Sequence, residues 1–136
     1  MKGVEPVLFK GKNIAIIFRR ALPLSGVKFF TQEDNFFQVG LHQRAKGVKL
    51  APHVHRMTRP INVTSIQEVL LVQDGKIRLT LYTPKGKKLM AKILQKGDSV
   101  LLMGAGHGVE FLAPTRLFEI KQGPYPGVTN AKIYFP

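Results

Sequence analysis

The chain has 136 residues, of which 44% are hydrophobic, with 13 Gly and 9 Pro; this is the make-up of one folded domain rather than a disordered chain. It contains no Cys, which excludes a disulfide framework, a Cys-type zinc finger and a thiol nucleophile. Twenty-one Lys+Arg against 8 Asp+Glu give a net charge of +13, but the basic residues never run to five in a row and no recognition helix accompanies them. Nucleic acid is therefore not the expected partner, and a solvated basic surface with a local anion pocket is.

In chain order, Asn13–Phe18 is a short apolar run bounded by Lys12 and Arg19-Arg20. Its Ile14–Phe18 core is too short for a secretory h-region, and no stretch approaches the ~20 apolar residues that span a bilayer. The expectation is a soluble, cytoplasmic protein with no membrane partner. Asn35–Arg44 is a second strand-like run and Gln67–Gln73 a third, closed by the tight-turn pair Asp74-Gly75. Lys76–Thr83 alternates Ile77, Leu79 and Leu81 with Arg78, Thr80 and Tyr82, the pattern of a half-buried strand. Leu89–Leu94, Ser99–Met103, His107–Leu112 and Arg116–Gln122 follow between turns, and Ala131–Phe135 has the pattern for a last strand. Short strands at roughly 8–12-residue spacing predict a single all-β domain, a sandwich or barrel of antiparallel strands.

Three of the four histidines fall in suggestive places. His53 and His55 are two residues apart, which on a strand puts both imidazoles on one face, as two ligands of one metal require. Glu68 heads a strongly apolar strand, where a carboxylate points to solvent or is paired or cation-bound. His107 follows Gly104-Ala105-Gly106, a segment able to turn its side chain toward an interior. Each alone has a plain explanation as a surface or hydrogen-bonded residue; the combination is what carries weight.

That combination resembles the cupin superfamily. Its first motif runs Gly, five residues, His-x-His, three or four residues, Glu, six residues, Gly. Gly47 precedes His53-Val54-His55 by five residues and Glu68 precedes Gly75 by six, while twelve residues instead of three or four separate His55 from Glu68. The extra stretch, Met57–Ile66 with Pro60, reads as an inserted loop. In the second motif Gly97 opens, Met103 replaces the Pro, His107 arrives one residue early and Phe111 stands where an Asn is usual. The likeness is to small single-domain cupins found among carbohydrate-modifying genes and covers about residues 36–126, with 1–35 as an N-terminal strand extension.

The resemblance implies a double-stranded β-helix, or jelly-roll, barrel that binds one divalent transition metal (Zn, Fe, Ni, Mn or Cu) through His53, His55, Glu68 and His107. A metal so held acts as a Lewis acid on a small anionic, carbohydrate-like substrate, in isomerase, epimerase or oxygenase chemistry. His42 and Arg44, two residues apart on the strand entering the motif, are the candidate acid–base and anion contact. Tyr82 and Tyr125 are further hydroxyl candidates. Glu110, three residues past His107, faces the other way by strand alternation. Arg56 and Arg59 in the inserted loop are placed to close over an acidic substrate. The alternatives are a metal-free sugar-nucleotide ketoisomerase using His53 and His55 as acid and base, and a non-catalytic sensing cupin. A homodimer is expected because jelly rolls bury edge strands by pairing them, with Asn13–Phe18 as the pairing run.

Overall fold

The structure, a computed structural model, describes residues 1–136. It is all-β, without a helix, and its ten strands form three antiparallel sheets. No helix is long and apolar enough to cross a membrane. The chain divides into two compact units, residues 1–22 with 65–136, and residues 23–64.

The first unit holds eight strands: β1 (Val4–Phe9), β2 (Lys12–Phe18), β5 (Glu68–Asp74), β6 (Lys76–Tyr82), β7 (Lys88–Gln95), β8 (Ser99–Leu102), β9 (Gly106–Phe111) and β10 (Arg116–Lys121). The second holds β3 (Gly26–Phe29) and β4 (Gly40–Gln43). The order is β1-β2-β8-β5-β10 in the five-stranded sheet and β7-β6-β9 in the three-stranded one; β3 and β4 pair with each other.

One core joins the two larger sheets. Ile17, Leu70, Val72, Val100 and Leu102 from the five-stranded sheet pack with Ile77, Leu79, Leu81 and Leu94 from the three-stranded one. On β6 the strict alternation of the sequence is the reason: Ile77, Leu79 and Leu81 are buried in one row while Lys76 and Arg78 face water. β2 shows no alternation because Ile16 and Phe18, off the core cluster, are buried as well as Ala15 and Ile17. The Asp74-Gly75 turn is real: Gly75 has φ +91°, and a Cβ there would lie 2.4 Å from the Pro114 carbonyl oxygen.

Three expectations are corrected. Asn13–Phe18 is no edge strand, since β2 is paired on both sides, to β1 and to β8; pairing with a second copy through it has no free backbone to use. The strand expected over Asn35–Arg44 shortens to Gly40–Gln43. Before it, the Gln38 amide donates to the Gln32 and Asn35 carbonyls at 2.8 and 2.9 Å, so the chain satisfies its polar groups in a turn rather than a ladder. Ala131–Phe135 forms no strand; it folds back as a docked segment. Two strands, β1 and β3, carried no expectation.

Candidate functional site

Strand alternation and register build the site at one end of the first unit. On β5, Glu68 continues the row of Leu70 and Val72, so its carboxyl is on the core face at the open end of the sheet. On β9, His107 lies opposite Leu81 and Val109 opposite Leu79, which puts the imidazole on the core face of the other sheet. Gly104, at φ +123°, makes the turn that sets it there. The two side chains meet with His107 Nε2 3.5 Å from Glu68 Oε2. Glu68 is 12% exposed and His107 31%.

β10 supplies two more charged groups. Lys121 pairs in register with Glu68 and Glu119 with Leu70, so both lie beside Glu68. Lys121 Nζ is 3.5 Å from Glu119 Oε1. The segment 131–135 closes the group, and together these elements bound a cavity of about 370 Å3. That volume suits a small molecule.

Burial, with a hydrogen bond to the Glu119 carboxyl, pushes the Glu68 carboxyl up to about 8. Glu119 is held low because it accepts that hydrogen bond. Burial pushes His107 down, against a ring N–H bond to the Ala105 backbone that favours the charged form. At neutral pH the pair is therefore a protonated carboxyl facing a neutral imidazole, not an ion pair. Two groups with protonation states displaced in opposite senses and a cavity beside them are what acid–base chemistry uses.

The remaining expected residues lie elsewhere. His53 and His55 are not on a strand: residues 44–67 form no ladder, and Pro52 and Pro60 lack the N–H that one needs. The two rings still meet edge-on, centroids 5.1 Å apart, in an exposed part of the second unit. His53 Nδ1 donates to the Ala51 carbonyl at 2.7 Å, leaving Nε2 as the acceptor nitrogen. His42 is exposed on β4, and Arg44 falls just beyond the strand, so the shared-face argument does not apply to them. Tyr82 lies opposite Gly106, on the outer face of the three-stranded sheet, with its ring 5.7 Å from that of Phe135. Glu110 pairs with Arg78 across β9 and β6, on the side away from the core. Arg56 and Arg59 line a second-unit hollow of about 440 Å3 together with Glu33 and Asp34.

Of the four expected metal ligands, the structure thus brings Glu68 to His107 in the first unit and His53 to His55 in the second. No group of three or more His, Asp or Glu side chains gathers at metal-binding distance within either unit. Glu119 and Lys132 had no sequence signal. Their places follow from the register of β10 on β5 and from the fold-back of 131–135. A larger hollow of about 810 Å3, edged by Arg20, Lys76 and Lys96, opens beside Asp74, but no imidazole lines it.

Compared with protein-family models, with curated proteins and with solved structures, the chain matches none.

Proposed function

We propose that the Glu68–His107 cavity binds a small anionic, carbohydrate-like molecule and moves a proton on it, in isomerase- or epimerase-type chemistry on a jelly-roll, cupin-type frame. The observation that carries this reading is the convergence of Glu68 and His107, from different sheets, to 3.5 Å on one cavity wall. A protonated carboxyl is a proton donor at neutral pH and a neutral imidazole is an acceptor, so a substrate in the cavity that both side chains line can give a proton to one and take a proton from the other. Lys121 and Lys132 add positive charge for an anionic substrate.

A second reading keeps the divalent transition metal that the resemblance implies, with His53, His55, Glu68 and His107 as its donors; Glu68 and His107, 3.5 Å apart, are the pair that the first unit brings together. Carboxylate oxygen and imidazole nitrogen suit such an ion, and when bound it supplies Lewis acidity to a substrate oxygen. No step of the proton transfer above is routed through it.

The test is solvent-deuterium incorporation into a panel of hydroxyketones and keto-sugar phosphates, followed by NMR. The expected result is incorporation by the unaltered protein that falls roughly a hundredfold or more in Glu68→Gln and in His107→Ala. Incorporation that survives both substitutions overturns the reading.

A further inference from the structure

Gly106 poses a question that its own backbone does not answer. It sits in β9 without a left-handed φ, so any residue fits its conformation. What excludes a side chain is the ring of Phe135: a Cβ on Gly106 would lie 2.4 Å from Phe135 Cε2. The same ring approaches Gly86, where a Cβ would come within 2.7 Å of Cδ1, and packs beside Tyr82. Phe135 thus occupies a cradle of two glycines and a tyrosine on the outer face of β6 and β9.

That anchor fixes the residues before it. Segment 131–135 lines the cavity that Glu68 and His107 share. It brings one charge, Lys132. Lys121, the other cation on the cavity wall, is already matched by Glu119 at 3.5 Å. Lys132 has no carboxylate within 4 Å.

We propose that segment 131–135 is a working wall of the site, docked by Phe135, and that Lys132 is the residue that binds the anionic group of the ligand. The class of ligand that follows is a small molecule with a phosphate or carboxylate, since a compact ammonium recognises either as a point charge. The proposal rests on the reading of the cavity as a small-molecule site, but not on proton transfer within it.

The experiment is a titration of the full-length protein with inorganic phosphate at constant ionic strength, following the His107 ring signals by NMR. Phosphate is expected to shift those signals saturably. Lys132→Met should weaken the apparent affinity about tenfold or more, the loss of one charge-assisted contact. Phe135→Ala should weaken it comparably by releasing the wall. Lys28→Met, which removes one charge in the second unit, should leave it unchanged. No saturable shift at tens of millimolar phosphate overturns the proposal, and so does a Lys132→Met protein that binds like the unaltered one. If Lys132→Met weakens phosphate while Glu68→Gln and His107→Ala both leave deuterium incorporation intact, the anion contact stands and the proton-transfer reading falls.

Discussion

Arg19 Nη1 donates to Asp98 Oδ2 at 3.1 Å, joining the end of β2 to the turn that enters β8. The same guanidinium reaches Glu5 Oε1 on β1 at 2.7 Å through Nε, and the Ile93 carbonyl on β7 at 2.7 Å. Asp98, only 5% exposed, also accepts from the backbone N–H groups of Arg20 and Gln95 at 2.9 and 3.1 Å. One carboxylate therefore organises three donors where the two sheets meet.

Asp98→Ala should destabilise the fold by about 3 kcal/mol, because it leaves two backbone donors without their acceptor and takes one of three acceptors from the partly buried Arg19 guanidinium. Urea unfolding followed by circular dichroism measures it. A loss below about 1 kcal/mol would mean that the network contributes no more than a surface pair.

Glu68 makes stability depend on pH in the opposite sense to most carboxylates. Burial and Glu119 raise its folded pKa to about 8, above its value in the unfolded chain. The folded state thus holds this proton more tightly, and the associated stability is present in full at acid pH and lost as pH rises toward and through 8. Glu119, shifted down and 47% exposed, acts in the reverse direction but weakly. Glu68→Gln, which keeps the shape without the titration, should equal the unaltered protein near pH 4 and exceed it by a few kcal/mol near pH 9. Unfolding curves at the two pH values, in the presence of a chelator, give the comparison; equal differences at both would contradict it.

Metal content tests the four-ligand reading by itself. On that reading the unaltered protein holds about one equivalent of a transition metal per chain, lost in His53→Ala/His55→Ala and also in His107→Ala; on the proton-transfer reading Glu68 and His107 are not ligands and the protein holds none. Elemental analysis by mass spectrometry on tag-free protein reads it directly. Metal that persists in either variant would rule out that ligand set.

The Phe135 cradle predicts coupling between two substitutions. Gly106→Ala should cost about 1–3 kcal/mol by overpacking against the ring. In a Phe135→Ala background the same change should cost distinctly less, since the atoms that it meets are gone. Urea titrations of the two single variants and the double variant close the cycle; an additive result would show that the ring is not in the cradle.

Much of the fold is legible in the sequence because its signals are local. Ile77, Leu79 and Leu81 alternate with polar residues on β6, and Asp74-Gly75 marks the turn before them. β1 escapes because Glu5 and Pro6 break the apolar pattern of Val4–Phe9; Pro is tolerated there because β1 is an edge. The site divides along the same line. Glu68 and His107 stand out as polar residues at the ends of apolar strands. Glu119 and Lys132 carry no mark, since what brings them in is pairing between β10 and β5 and a fold-back onto β9, neither of which a local pattern encodes. The shared face assigned to His53 and His55 presupposed a ladder that Pro52 and Pro60 help to forbid.

The place of β2 inside the five-stranded sheet has a kinetic consequence. Its partner β8 lies roughly eighty residues further along, Phe18 pairing with Ser99 and Ala15 with Leu102, and the second unit falls within the intervening loop. During synthesis β1 and β2 therefore wait, with Ile16, Ile17 and Phe18 unburied, until roughly eighty further residues have followed. Closing so long a loop costs little more free energy than closing a loop half its length. It does slow folding: pairings between residues so far apart in sequence put a chain toward the millisecond-to-second end of the range. Until β2 meets β8, the β1–β2 hairpin is the part of the nascent chain most open to capture by chaperones or by another copy of itself.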